Sequence, residues 1–251
     1  MNQNECLVYL IKYLCKERNV DIEMPESHDE LFQLYRSLVN IREAKPIAQE
    51  FLKVQDQMLQ EENKNKGIVS FDDVEENIIV WQGDITRLKV GAIVNAANNQ
   101  MEGCFVPGHH CIDNAIHSYA GVQLRNDCHQ MMQRQGFLEP TGKAKITKAY
   151  NLPCDYILHT VGPIIRGHVS KKDEQLLASC YESCLRLASQ YQLKTIAFCC
   201  ISTGVFHFPQ ELAAEIAIKT VKEFLKDSSI EKVIFNVFKD EDYAIYNKLL
   251  Q

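Results

Sequence analysis

From residue 77 onward, short apolar runs alternate with amphipathic helical patterns, and this alternation restricts the fold more than any other feature. The runs are NIIVWQG, GAIVNAA, AKITKAY, CDYILHTVG, KTIAFCCIS and EKVIFNVF. Between two of them, helical spacing places Leu177, Tyr181 and Cys184 on one face, and a further helical pattern begins at Pro209. Near-continuous apolar strands separated by helices are typical of a sheet covered on both faces. The sequence therefore predicts an α/β fold around a mixed sheet.

The first quarter of the chain has a different pattern. Residues 1–66 read as helical, because apolar residues recur at helical spacing in three stretches. Ser27 followed by Glu30 is a capping-box pattern that opens the second stretch. Pro46 marks the predicted start of the third. We therefore expect a small helical extension, residues 1–66, packed on a main domain of residues 67–251.

Composition and charge narrow the class of protein. Apolar residues make up 46% of the 251 residues, which is enough for a well-buried core. The net charge of −6 argues against a protein that binds nucleic acid by neutralising phosphates. No apolar run is long enough for a membrane span, and the N-terminal segment lacks the basic region of a secretory signal. With ten cysteines read as reduced thiols, these features predict a cytoplasmic protein.

Polar and small residues follow three of the predicted strands. Ligands of open α/β sheets bind beyond the carboxyl ends of the strands, so these loops are candidate binding loops. Asp84 in GDIT can accept from an exocyclic amine, but it can also simply cap a short helix. Asn95 and Asn98 in NAANN can donate to and accept from hydroxyls. The loop ISTGVFHFP, residues 201–209, is either a cradle of backbone N–H groups for an anion or an ordinary strand-to-helix turn.

These loops, in this order, resemble the macrodomain family of ADP-ribose-binding modules. GDIT, GAIVNAAN, TGKAKITKAYNLPCDYILHTVGP and ISTGVFHFP all look like macrodomain motifs, and the likeness covers roughly residues 77–250. It implies a three-layer α/β/α sandwich with the N-terminal helices added. It also implies that Asp84 and Ile85 hold the adenine, that Asn98 faces the distal ribose, and that Asn95 braces its loop. The residues assigned to the diphosphate and ribose are Ser202, Thr203, Gly204, Val205 and Phe206.

The segment GCFVPGHHCIDNAIH, residues 103–117, contains a candidate metal site. Cys104, His109 and Cys111 form a C-x₄-H-x-C pattern, and thiolate and imidazole are the ligands that Zn²⁺ prefers. A turn at Pro107 and Gly108 can bring Cys104 back towards His109. His110 is the rival ligand, but in extended chain it would point away from Cys111. Three protein ligands with one open position are typical of a catalytic zinc site.

This segment also resembles the loop of the zinc-containing macrodomain subclass found in microbes, which implies Zn²⁺ as the cofactor. The resemblance aligns Asp113 with the acidic residue that ends the catalytic loop of hydrolytic macrodomains. From its position alone, Asp113 could instead merely favour a helix dipole. We expect Asn98 and Asp113 to act as catalytic residues at the distal ribose. His117 is expected to lie in the following helix and to pack there.

The resemblance implies a zinc-dependent hydrolase that removes mono-ADP-ribose from modified proteins. Zinc could orient and polarise a ribose hydroxyl or activate water; two thiolates leave the ion formally neutral, which favours the first duty. Two alternatives stay open: a non-catalytic ADP-ribose reader, and a hydrolase of a small derivative such as O-acetyl-ADP-ribose. Zinc-containing macrodomains are typically associated with a sirtuin-like ADP-ribosyltransferase and a lipoylated carrier resembling the glycine-cleavage H protein, so we expect these as partners.

Overall fold

A six-stranded mixed sheet forms the centre of the protein in a computed structural model that describes residues 1–251. The strands are β1 (Ile78–Gln82), β2 (Ala92–Ala96), β3 (Ala144–Lys148), β4 (Tyr156–Thr160), β5 (Thr195–Phe198) and β6 (Lys232–Val237). Their order across the sheet is β1-β6-β5-β2-β4-β3. Only β3 runs antiparallel to its neighbour, and all other pairs are parallel. Each of the six predicted apolar runs therefore contains a strand.

The chain contains eight α-helices. They are α1 (Gln3–Arg18), α2 (His28–Asn40), α3 (Gln49–Asn65), α4 (Ile112–Ala120), α5 (Val122–Gln135), α6 (Lys171–Gln190), α7 (Gln210–Leu225) and α8 (Asp240–Leu250). Helices α6, α7 and α8 pack side by side on one face of the sheet, and α4 and α5 cover the other. This arrangement is the predicted three-layer α/β/α sandwich. None of the helices is both long and apolar enough to cross a bilayer.

The N-terminal helices have an apolar core of their own. Residues from α1, α2 and α3 form a buried cluster that includes the fully buried rings of Tyr35 and Phe51. Val122 of α5 joins this cluster, so the extension is packed onto the main domain. Helix α3 ends at Asn65, next to the predicted boundary at residue 66. Such a cluster excludes water from both parts and favours a fixed relative position.

The predicted start of the third helix is wrong by three residues. Helix α3 begins at Gln49 and not at Pro46. The carbonyls of Lys45 and Pro46 accept hydrogen bonds from the buried guanidinium of Arg42 at 3.2 Å each, which keeps this stretch out of helical geometry. The second helix starts as predicted, with Ser27 as its N-cap.

Candidate functional site

The three candidate loops all lie at the carboxyl ends of parallel strands, on the same side of the sheet. GDIT follows β1, NAANN begins in the last two residues of β2 and continues beyond it, and residues 201–209 follow β5. Strands β1, β6, β5 and β2 are consecutive and parallel, so their carboxyl ends lie on the same side of the sheet. The metal-loop segment, which we define as residues 101–111, connects the NAANN loop to α4. The topology therefore places the predicted binding loops and the metal loop at the same end of the sheet, where ligands of open α/β sheets bind.

The three predicted metal ligands come together. The Sγ atoms of Cys104 and Cys111 and a ring nitrogen of His109 all lie within 4.8 Å of one another. Cys104 Sγ lies 3.6 Å from His109 Nδ1. A sulfur at about 2.3 Å and a nitrogen at about 2.1 Å from one tetrahedral Zn²⁺ would be about 3.6 Å apart, so the donor set fits this ion. His110 is exposed and outside the group.

Cys111 has a second duty at the start of α4. Its side chain is the N-cap of the helix, and Sγ accepts from the backbone N–H of Asn114 at 3.4 Å. Burial raises the pKa of the Cys111 thiol to about 12, although the Asn114 N–H acts in the opposite direction. All ten cysteines are free thiols, and Cys180, Cys184 and Cys199 lie in the core. The local fold thus presents Cys111 at a fixed place beside Cys104.

Asp113 lies directly behind the metal ligands and is 5% exposed. Its Oδ1 accepts from Asn95 Nδ2 at 2.8 Å, and its Oδ2 faces Asn98 Nδ2 at 3.5 Å. Burial raises the pKa of Asp113 to about 6, while the Asn95 hydrogen bond and the guanidinium of Arg125 lower it. Asp113 therefore does more than complement a helix dipole: it forms a hydrogen-bonded unit with Asn95 of β2 and with Asn98, which follows that strand.

Asn98 ties this unit to the metal loop. Its Nδ2 donates to the carbonyl of Gly103 at 3.0 Å, and its Oδ1 accepts from the backbone N–H of Gln100 at 2.9 Å. Asn98 is half-buried, so part of its amide remains accessible. Asn95 is fully buried in β2 and donates a hydrogen bond to Asp113 of α4.

A second group of potential ligands lies deeper, under the metal loop. The side chains of His117, Cys128 and His159 are all buried and close to one another. Both ring nitrogens of His159 are already engaged, Nδ1 with Asn95 at 3.1 Å and Nε2 with Thr147 at 2.9 Å. Burial lowers the pKa of His159 to about 3, so its ring is neutral. These hydrogen bonds make His159 a support for Asn95, and we assign no metal to this group.

His117 lies in α4, as expected, and supports the metal loop from below. A Cβ added to Gly103 would lie 2.8 Å from Cγ of His117, so the loop backbone runs directly over the imidazole ring. Gly103 also has φ = +82°, a conformation that glycine adopts at little cost. A larger residue at position 103 would lift the loop away from α4. Glycine is therefore required next to Cys104 for two independent reasons.

The loop of residues 201–209 has the features of an anion cradle. Ser202 is buried and has φ = +66°, and the backbone N–H of Phe208 donates to its carbonyl at 3.0 Å. The backbone N–H groups of Gly204, Val205 and Phe206 donate to no other group of the protein. Three free N–H groups in one turn before a helix can bind an anion without any lysine. Gly204 and Val205 are exposed, and Thr203 and Phe206 are half-buried.

Asp84 is engaged by residues on both sides. Its Oδ1 accepts from the N–H of Thr86, which makes it the N-cap of the 3₁₀ turn Ile85–Arg87. Its Oδ2 lies 2.5 Å from Nζ of Lys66, which follows α3 of the extension. Burial raises the pKa of Asp84, but the ammonium of Lys66 and the bonds from Lys66 and Thr86 outweigh it and bring the net pKa below its ordinary value. Ile85 is buried beside it.

Sequence comparisons identify the class of protein that this fold and site define. The profile of the Macro domain family matches residues 94–217. A Treponema medium protein named protein-ADP-ribose hydrolase is 51% identical over 100% of both chains. The macrodomain of Trypanosoma brucei in complex with ADP-ribose aligns with a TM-score of 0.66 at 28% identity, covering 86% of this chain and 95% of its own. The macrodomain of Oceanobacillus iheyensis with ADP aligns with a TM-score of 0.65 at 37% identity, covering 70% and 91%.

The chain therefore belongs to the macrodomain family. The Treponema relative matches the whole chain, so the likeness to that protein includes the N-terminal helices as well as the sandwich.

Several residues of the site have no signal in the sequence pattern. Arg36 and Asn40 of α2 bind the metal loop, and Lys66 binds Asp84. Each lies in a helix or at its end, where charged and polar residues are normally solvated. Arg36 could have been found only by looking for polar residues among the apolar positions of α2. It is buried there, one position after the buried Tyr35.

Proposed function

We propose that the protein is a hydrolase that removes mono-ADP-ribose from modified proteins and that it uses Zn²⁺ held by Cys104, His109 and Cys111. The hydrolase assignment is supported by the full-length relative of that name. The single observation that carries the zinc assignment is the convergence of two thiols and one imidazole at tetrahedral spacing, beside a buried carboxylate. The site therefore combines a candidate metal position with a loop of free backbone N–H groups at the carboxyl ends of neighbouring parallel strands.

Binding energy in this proposal comes from two loops remote from the reacting bond. The carboxylate of Asp84 accepts from the adenine amine, with Ile85 alongside. The backbone N–H groups of residues 204–206 bind the diphosphate, and Ser202 and Thr203 complete the turn around it. Fixing both ends of ADP-ribose places the anomeric carbon of the distal ribose against Asn98 and Asp113. Such positioning can supply a large part of the rate acceleration.

The reaction exchanges one bond at the anomeric carbon. The bond from this carbon to the protein side chain breaks, a bond to a water oxygen forms, and a water proton ends on the released side chain. Zn²⁺ held by Cys104, His109 and Cys111 would supply Lewis-acid chemistry that polarises and orients an oxygen of the ribose. Asn98 and Asp113 hold the ribose, and the Asn95 amide holds Asp113. Arg125 lies close enough to lower the pKa of Asp113.

The modified partner is also part of the proposal. We propose a lipoylated carrier protein, resembling the glycine-cleavage H protein, as the substrate and a sirtuin-like ADP-ribosyltransferase as the enzyme that modifies it, in the cytoplasm. Carrier that has been mono-ADP-ribosylated by such a transferase should lose its label faster than an unrelated modified protein.

The test measures release of ADP-ribose from mono-ADP-ribosylated protein by wild type, Cys104→Ala and Asp84→Ala, together with the metal content of each. Wild type should release ADP-ribose and lose this activity on chelation. Cys104→Ala should be inactive but still bind ADP-ribose. Asp84→Ala should bind ADP-ribose more weakly than wild type. A folded, metal-free Cys104→Ala with full activity would refute the zinc role. Tight binding with no turnover would instead indicate a reader, and turnover of O-acetyl-ADP-ribose alone a small-molecule hydrolase.

A further inference from the structure

The metal loop has little structure of its own. Residues 101–111 contain no strand or helix. Two of their backbone N–H groups donate to backbone carbonyls: that of Met101 to Asn98, which precedes the loop, and that of His109 to Val106 within it. Gly108 at φ = +62° turns the chain back towards Cys104. An isolated segment of this kind would populate many conformations, because few of its backbone groups are paired. Something outside the loop must hold His109 opposite the two thiols.

Arg36 of the extension supplies one of these contacts. Its side chain is 7% exposed, and Nη2 donates to the carbonyl of His109 at 2.9 Å. Nε and Nη2 also donate to Oδ1 of Asn114 at 3.1 and 2.9 Å. No carboxylate lies within ion-pair distance of this guanidinium. Burial of a charge against neutral acceptors is unfavourable for stability alone, so this arginine is poorly explained as a simple packing residue.

Asn40, one turn further along α2, contacts the next part of the loop. Its Oδ1 accepts from the backbone N–H of Gly108 at 3.0 Å and from Asn114 Nδ2 at 2.9 Å. Asn114 Nδ2 donates in turn to the carbonyl of Val106 at 3.0 Å. Asn40 is 1% exposed, and its Nδ2 is satisfied by Ser118. Every polar atom of this side chain is therefore committed to the loop or to α4.

We infer that Arg36 and Asn40 are positioning residues that shape the metal loop through its backbone, so that the extension builds the metal site without contributing a ligand. The inference rests on the proposed zinc-dependent function for its biological meaning, but it concerns metal binding itself. His109 is the ligand most affected, because its carbonyl is bound by Arg36 while its ring faces Cys104. Groups that orient a metal ligand typically change metal affinity by about 10–100-fold when they are removed.

The experiment compares Zn²⁺ affinity, measured by competition with a chromophoric chelator, in wild type, Arg36→Gln, Arg36→Lys and Asn40→Ala. Arg36→Gln and Asn40→Ala should bind Zn²⁺ about 10–100-fold more weakly. Arg36→Lys should lie between them and wild type, because lysine keeps the charge but loses the planar fork. The visible absorption of the Co²⁺-loaded variants should change as well, since it reports the arrangement of the thiolates.

Asn63→Ala is the matched control. Asn63 is also a buried amide of the extension, and its Nδ2 donates to the carbonyl of Asn151 at 2.7 Å, away from the metal loop. This variant should lower Tm as the α2 variants do but keep wild-type Zn²⁺ affinity. ADP-ribose affinity, set by the loop at 201–209, should stay within about twofold of wild type in every folded variant, because these contacts lie elsewhere.

Zn²⁺ binding and ADP-ribose release are measured separately, so failure of the inference can be distinguished from failure of the proposed function. Wild-type Zn²⁺ affinity in both Arg36→Gln and Asn40→Ala, or an equal loss in Asn63→Ala, overturns the inference. A wild type that binds Zn²⁺ but releases no ADP-ribose contradicts the proposed function and leaves the inference intact, provided the α2 variants bind the metal more weakly. A wild type that binds no Zn²⁺ overturns both. If Arg36→Gln does not fold, Arg36→Lys and Asn40→Ala decide.

Discussion

The metal loop and the loop of residues 201–209, which come after the neighbouring parallel strands β2 and β5, are held by different means. The loop of residues 201–209 follows β5, enters α7 and is fixed mainly by backbone bonds within itself and to Ile165. The metal loop is held by side chains that lie outside it, from α2, α4 and α5 and from Asn98. The conformation of the 201–209 loop therefore requires only that the sandwich folds, whereas the conformation of the metal loop also requires the N-terminal extension. Nucleotide binding and metal binding should therefore respond independently to substitution.

The largest effect is expected from Cys111→Ser. Serine is a good N-cap, so helix α4 should keep its first turn, but a hydroxyl is a poor zinc ligand. We expect loss of stoichiometric Zn²⁺ and a fall in ADP-ribose release of more than about 100-fold. ADP-ribose affinity, measured by calorimetry, should change little. Cys15→Ala, a cysteine of α1 outside the metal group, is the control, and equal loss of activity there would argue against a specific role for Cys111.

Asp113→Asn should give the next largest effect. The amide keeps the shape of the carboxylate but places an N–H group against Asn95 or Asn98, which both donate to this position. We expect kcat for ADP-ribose release to fall by about 10–100-fold, with KM changed much less, because positioned acid–base and orienting groups act mainly in the transition state. Asp155→Asn, an exposed position, is the control. Unchanged kcat in Asp113→Asn would remove this residue from the catalytic set.

Gly162→Ala tests the opposite loop. An added Cβ at this position would come within 2.0 Å of Ser202 Oγ and 2.9 Å of Ile201 Cγ2, so the start of the 201–209 loop must move. We expect a loss of about 1–3 kcal/mol in the free energy of unfolding and weaker ADP-ribose binding, with normal Zn²⁺ content. Adding Ser202→Ala should recover part of the lost stability, because it removes the nearest atom. Loss of zinc in Gly162→Ala would show that the two loops are coupled.

The smallest effect is expected from Lys66→Met. Lys66 pairs with Asp84, but Thr86 still donates to the same carboxylate through its N–H at 2.9 Å and its hydroxyl at 2.7 Å. A partly exposed ion pair contributes little, so ADP-ribose affinity should fall by about fivefold or less, without change in Zn²⁺ affinity. Lys64→Met, at an exposed position near the end of the same helix, is the control. A larger loss would mean that Lys66 itself contacts the nucleotide.

Much of the fold could be predicted because its elements are built from simple patterns. All six strands lie in the apolar runs that the sequence displays, and β2 shows why: four of its five residues are fully buried. Helices α5 and α8 were not predicted. The inward face of α5 includes Arg125, and α8 buries only Asp242 and Tyr246, so neither shows a clear apolar stripe.

Arg125 illustrates why such helices escape prediction. Its Nη1 donates to three carbonyls at the end of α2 and just beyond it, those of Val39, Asn40 and Arg42, and its Nε donates to the carbonyl of Glu102. Carbonyl acceptors are present at every residue and therefore leave no trace in the amino-acid pattern. A buried arginine whose partners are all backbone cannot be distinguished from a solvated one until the fold is known.

The sequence by itself determined the sheet, the helical extension and the three candidate metal ligands, because apolar periodicity and the C-x₄-H-x-C spacing are local properties of the chain. Only the tertiary structure decided that the extension holds the metal loop. Arg36 and His109 are 73 positions apart, and Asn40 and Gly108 are 68. Their hydrogen bonds form only after two separate cores have packed together, which is why no local pattern could contain them.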